Sequence, residues 1–230
     1  MIVVQSTQET FKRQLLFIGR AVFLISGGID SPVAASMLVR KGVEPVFAYF
    51  DSYPLCDQAA EGIAFEAAKR VCSFHKLDDV KFYSIPHSTD LEEIVNKCPE
   101  KYACVLSRRL MFRISEKIGF LENCDAIITG DAIGQKASQT LQNIAATDCV
   151  VERLPVLRPL IGINKLDIER YAKRIGTFEI STKPGVATCG VPTRNPSTSA
   201  RKIRLEEVEA QLDLSSMVDN ALMRRRVLQL

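Results

Sequence analysis

Residues 26–32, Ser-Gly-Gly-Ile-Asp-Ser-Pro, connect two stretches of opposite character. Before them lies a short, continuous and β-prone apolar run, Ala21-Val22-Phe23-Leu24-Ile25. After them Val33, Met37 and, less regularly, Val39 fall on one helical face. The pattern predicts a strand that turns sharply into a helix. Gly27 and Gly28 let backbone amides approach an anion without side-chain obstruction. Asp30 or Ser31 is expected to cap the helix, and Pro32 suits its first turn because helix starts leave amides unpaired anyway. Together these features make an anion cradle at the positive end of a helix.

The longer glycine spacing that ends in Gly-Lys-Ser/Thr is absent, and so is the dinucleotide fingerprint, which leaves another kind of nucleotide loop. An ordinary tight turn is the alternative, and the flanking strand and helix argue against it.

A chain of 230 residues with 47% hydrophobic and 25% charged content can bury one substantial core. The formal charge of +3 suits anionic substrates but is far from that of a protein that coats nucleic acid. No run of about 18 apolar residues appears. Residues 1–20 contain Gln5, Glu9, Lys12, Arg13 and Gln14 rather than an apolar signal core, so the expected setting is cytoplasmic, without a membrane. Seven cysteines without a Cys-X-X-Cys pair give neither a disulfide framework nor a zinc site, and Cys56, Cys72, Cys98, Cys104, Cys124 and Cys149 are expected to be buried structural thiols. His75 and His87 are too far apart to suggest a metal centre, and no metal ligands are assigned.

Further strands are expected at 43–50, 80–85, 125–129 and near 154–157. Helical patterns lie between them, notably at 59–74 with Ile63, Ala67 and Val71, at 105–121 with Leu106, Leu110, Ile114, Ile118 and Leu121, and at 167–175 before Gly176. Such alternation predicts an α/β fold with a doubly wound parallel sheet. Residues 181–199 read as a loop carrying Cys189, followed by helical character at 203–212 and 217–228. Three units are expected: an N-terminal segment (1–20), a nucleotide-binding domain (21–180), and the cysteine-bearing loop with a helical extension (181–230). Arg224, Arg225 and Arg226 read as a solvated helix end, with phosphate contact as the alternative.

A second constellation is more specific. Arg108-Arg109-Leu110-Met111-Phe112-Arg113 is followed by Ile128-Thr129-Gly130-Asp131-Ala132-Ile133-Gly134-Gln135 and Ala137-Ser138-Gln139-Thr140-Leu141. With residues 26–32, Val156-Leu157-Arg158-Pro159-Leu160-Ile161 and Ile175-Gly176-Thr177-Phe178-Glu179-Ile180-Ser181, it resembles the adenylating pyrophosphatase domain of tRNA 4-thiouridine synthetases. These are also called tRNA sulfurtransferases, and in some organisms they serve thiamine biosynthesis. The resemblance runs from about residue 22 to the C-terminus.

The resemblance implies an adenine nucleotide alpha hydrolase-like fold that uses Mg²⁺ and ATP. It implies that Leu24 and Ile25 lie at the nucleotide pocket, with Ser26, Gly27, Gly28, Asp30 and Ser31 around the phosphates. It maps Tyr49, Phe50, Arg108, Gly130 and Gln139 onto family ATP contacts. Tyr49 and Phe50 end one strand and Gly130 another, at the edge where open parallel sheets bind ligands. The alternatives are a core pair for Tyr49 and Phe50 and a solvated helix cation for Arg108. Asp131 is expected either to hold Mg²⁺ or position a substrate group, or to cap a helix. The family often carries glutamate at this position and an apolar residue where Lys136 stands.

Cys189, in Thr188-Cys189-Gly190-Val191, resembles the family's Cys-Gly-Val loop and is the one cysteine assigned a role. Its thiolate would exchange with a persulfide, favoured by Lys183, Arg194 and a nearby helix end; a buried structural thiol is the alternative. With Asp30 and Asp131 it completes the expected catalytic set.

The implied activity is adenylation of a carbonyl oxygen, best guessed as a uridine in tRNA, followed by sulfur transfer from a persulfide or sulfide. The chain is expected to lack the family's RNA-binding module and rhodanese-like domain, so that either separate proteins provide them or a different substrate is modified. The expectation is therefore weak tRNA binding by this chain alone, a separate RNA-binding partner, and a persulfide-donating sulfurtransferase or cysteine desulfurase; a homodimer is left open. The alternatives are an amidotransferase-type adenylating enzyme and a nucleotide-responsive binding module without turnover.

Overall fold

A computed structural model describes residues 17–184 and 195–230. In chain order its elements are β1 (Gly19–Leu24), α1 (Asp30–Val39), β2 (Val43–Asp51), α2 (Ala60–His75), β3 (Lys81–Pro86), α3 (Ser88–Lys97), α4 (Ala103–Leu121), β4 (Ala126–Ile128), α5 (Leu141–Asp148), β5 (Val156–Leu157), α6 (Lys165–Ile175), α7 (Phe178–Ser181), α8 (Lys202–Glu209), α9 (Leu214–Arg224) and β6 (Arg226–Gln229). The sheet order is β5-β4-β1-β2-β3-β6. The first five strands pair in parallel, and β6 runs antiparallel to β3.

Alternate residues of each strand feed opposite layers, as the period of two requires. Val22, Val46, Ala48 and Ile85 face a core built with α3, α4, α8 and α9. Ala21, Phe23, Phe47, Tyr49 and Phe82 face a core built with α1, α2 and α6. Burial on both faces explains why β1 and β2 read as continuous apolar runs. Pro45 is tolerated in β2 because β3 joins only from Phe47, so no ladder bond is lost at the proline. Helix α1 is buried on nearly all sides, and Ala34, Ala35 and Ser36 allow its close approach to the sheet; this breadth blurs its apolar period.

The doubly wound sheet agrees with the sequence expectation. The main departure is at the C-terminus, where 217–228 was expected to be helical. Helix α9 stops at Arg224, and the next residues form β6 because the outer edge of β3 would otherwise present unpaired backbone groups. The three arginines therefore do not share a helix end. Arg224 meets Thr89, Arg225 lies over the Tyr83 ring, and Arg226 pairs with Glu61.

Smaller corrections concern thiols and capping. Cys72, Cys98 and Cys124 are buried, but Cys56 and Cys104 are half-buried and Cys149 is exposed beside the Arg109 guanidinium. Neither Asp30 nor Ser31 caps α1. Its N-cap is Ile29, and the Ser31 hydroxyl turns back to the loop instead. Helices α3, α5 and α7 were not individually anticipated.

Candidate active site

The site is assembled at the carboxyl ends of β1 and β4, where the chain connections diverge to opposite sides of the sheet. Residues 25–29 link β1 to α1. Ser26 N donates to Ser31 Oγ at 2.9 Å, the two serine hydroxyls are 3.1 Å apart, and Gly28 N reaches Ser26 Oγ at 3.4 Å. The serines thus close the turn on itself, which holds the glycine backbone in place at the positive end of α1.

Asp30 opens α1 and faces Lys165, the first residue of α6, with Nζ 2.5 Å from Oδ1. Helix α6 is capped by Asn164, whose side chain accepts from Asp167 N at 2.9 Å. The N-termini of α1 and α6 therefore meet beside the cradle, and both favour anions. No local sequence pattern points to Lys165, since 135 residues separate it from Asp30.

Gly130 follows β4 and supports the loop from beneath. A Cβ there would lie 2.7 Å from both Ser31 Cα and Ser31 N, so only glycine lets this strand end meet the start of α1.

Asp131 is buried, and its oxygens are engaged on all sides. Oδ2 accepts from Thr129 Oγ1 at 2.8 Å, from Arg158 Nε at 3.2 Å and from Arg108; Oδ1 accepts from Gln139 Nε2 at 3.1 Å. Burial would raise its pKa, but the Arg108 guanidinium, Thr129, Arg158 and Gln139 together hold it below the ordinary carboxylate range. The helix-cap alternative is overturned: the next helical turn begins at Ala137, and α5 is capped by the Thr140 side chain. Arg108, half-buried on α4, points to this carboxylate with its guanidinium 5.4 Å from the Phe112 ring centroid. Gln139 is buried, and its Oε1 has no partner.

Tyr49 and Phe50 have their side chains in the core. Tyr49 stacks on Phe82 with centroids 6.4 Å apart, and burial raises its hydroxyl pKa beyond the usual range. Phe50 meets His87 edge-on at 5.4 Å. Leu24 is half-buried and Ile25 buried, with Ile25 N bonded to Ala48 O at 3.0 Å. Of the four, Ile25, Tyr49 and Phe50 are buried in the apolar clusters, which agrees with the core-pair alternative for Tyr49 and Phe50.

Thr188, Cys189 and Arg194 lie outside the described residues. Lys183 pairs with Glu66 at 2.6 Å. Among the described residues no group of three or more His, Cys, Asp or Glu is arranged to hold a metal, and no helix is long and apolar enough to cross a membrane.

Residues 17–214 match the family model described as "Thiamine biosynthesis protein (ThiI)". The chain belongs to the ThiI family. This ThiI-family chain is 42% identical over 212 residues to a probable tRNA sulfurtransferase of Thermus thermophilus, covering 91% of the chain and 51% of that protein. It is 39% identical over 206 residues to one from Alkaliphilus metalliredigens, covering 89% and 52% respectively. It superposes on the crystal structure of a 4-thiouridine synthetase in complex with RNA and bound ATP, with a TM-score of 0.87 at 36% identity, covering 92% of the chain and 55% of that chain. The ThiI-family chain thus spans about half the length of the curated relatives it matches.

Proposed function

We propose that this crevice binds Mg·ATP, adenylates a carbonyl oxygen of a uridine in tRNA, and admits a sulfur nucleophile that displaces AMP. The observation that carries this reading is the anion cradle of residues 26–31 at the β1/β4 switch point, with Gly130 in backbone contact with Ser31 and Arg108 on the adjacent Asp131. The close likeness to a 4-thiouridine synthetase with bound ATP and RNA supports it. Residues 21–180 act as the adenylating unit, and the reaction is cytoplasmic.

The backbone amides of the 26–31 loop that the serine hydroxyls do not engage receive phosphate oxygens at the positive end of α1. Arg108 offers a planar guanidinium to the departing pyrophosphate, so charge that develops in the transition state meets fixed donors. Mg²⁺ neutralises phosphate charge when it enters with the nucleotide, and such ions need only one or two protein carboxylates. Asp30 fits that need, being partly exposed at the cradle. Asp131 does not, since its oxygens are already engaged, with Arg108 among the partners. Cys189 carries sulfur from a persulfide or resolves the resulting disulfide. A sulfurtransferase or cysteine desulfurase supplies the persulfide.

The test is pyrophosphate release from ATP in the presence of tRNA, together with incorporation of labelled sulfide into tRNA nucleosides. Release with 4-thiouridine formation supports the reading. ATP binding without turnover, or labelled nitrogen in place of sulfur, overturns it.

A further inference from the structure

Arg158 follows β5 directly, and its side chain is only 7% exposed. It joins two carboxylates. Its Nε lies 3.2 Å from Asp131 Oδ2, while its terminal nitrogens hold Asp148, the last residue of α5, in a fork at 2.8 and 2.6 Å. Arg108 approaches the same Asp131 Oδ2, and both guanidiniums lie over the Phe112 ring, at 5.4 and 6.0 Å from its centroid.

Asp131 Oδ2 therefore receives three donors, from Thr129, Arg108 and Arg158, whereas a carboxylate oxygen offers two lone pairs. One donor is in excess. Thr129 is two residues away on the same chain segment, and Arg158 is anchored by its fork to Asp148. Arg108, at 20% exposure the least buried of the three, is the donor that can leave.

We propose that Arg158 is a positioning residue for nucleotide binding: it keeps the buried Asp131 compensated from behind, so that Arg108 is free to turn from Asp131 to the phosphates. This rests on the reading that the crevice takes ATP. Without Arg158, Arg108 is the only cation among the described residues on this buried carboxylate and stays there, because leaving would strand an unpaired charge.

The experiment compares ATP and AMP binding to the purified chain by calorimetry. Arg158→Gln is expected to weaken ATP about tenfold, one charge-assisted contact, while AMP stays within about twofold. Adding Asp131→Asn should restore ATP affinity to within about threefold, because the carboxamide no longer detains Arg108. Arg108→Gln with Arg158→Gln should bind ATP no more weakly than Arg108→Gln alone. Asp148→Asn, which loosens Arg158 from the more exposed side, should act in the same direction by about threefold, and carries the test should Arg158→Gln fail to fold.

Equal loss of ATP and AMP affinity, no rescue by Asp131→Asn, or additive loss in the double arginine variant overturns the proposal. A wild-type chain that binds ATP but releases no pyrophosphate with tRNA refutes the sulfur-transfer reading and leaves the role of Arg158 standing. A wild-type chain that binds no adenine nucleotide overturns both.

Discussion

Gly130 and Ser31 are in backbone contact: a Cβ added to the glycine would lie 2.7 Å from the serine Cα. The end of β4 and the start of α1 are pressed together, and the cradle geometry depends on that contact. Gly130→Ala should push the first turn of α1 away from the sheet, costing about 1–3 kcal/mol of stability as an overpacked site does. ATP affinity should fall with it. Denaturant unfolding and nucleotide titration check this, and an alanine variant with native affinity would show that the contact is dispensable.

Asp30→Ala and Arg108→Ala should leave the fold intact, because both side chains are partly exposed and neither belongs to the apolar clusters. Each should lower ATP-dependent pyrophosphate release by about 10²–10³-fold, the usual effect of removing a group that meets transition-state charge. Unaltered release in both variants removes them from the site.

Glu209 binds Arg109 and Arg113, with Arg109 Nε and a terminal nitrogen each 2.7 Å from its oxygens. The Arg109 side chain is 1% exposed, so Glu209→Ala would leave its charge buried without its carboxylate and should cost about 3–5 kcal/mol. Replacing the pair with Arg109→Met and Glu209→Leu should cost less than that single change, which denaturant unfolding can measure.

The pH dependence of stability follows from the same carboxyl. Burial alone would raise its pKa, but the bonds to Arg109 and Arg113 hold it below the ordinary value. Its contribution is fully present above the unfolded pKa of about 4.3 and is lost as pH falls through the lower folded value. Unfolding measured across that acid range should show a shallower decline for Glu209→Gln than for the wild type. An unchanged slope would mean that the pair does not titrate with folding.

Cys189→Ser should retain ATP binding and pyrophosphate release but lose turnover with a persulfide donor, because the role proposed for the thiol follows activation. Free sulfide should restore part of the turnover by attacking directly. Normal persulfide-dependent turnover in the serine variant would make the thiol dispensable.

The strand, cradle and helix of residues 19–39 were legible in the sequence because their causes are local. An apolar run sets β1, two glycines open the backbone, and a short helical segment follows within a few residues. The same holds for β2 and β3, which are short β-prone runs, and for α4, whose apolar stripe is long enough to declare its period. Strand β6 was not legible: Val227 and Leu228 extend a helical pattern, and only the open edge of β3 makes a strand the better partner.

The sequence by itself determined where the anion cradle lies and which fold carries it, since both follow from residue types close together in the chain. Tertiary structure decided what the charges around the cradle do. It brought Lys165 to Asp30 across 135 residues, set Arg108 and Arg158 on one carboxylate, and engaged both oxygens of Asp131. The physical reason is that a charged side chain takes its role from burial and from the partners that meet it, and distant segments supply both only once the sheet has formed.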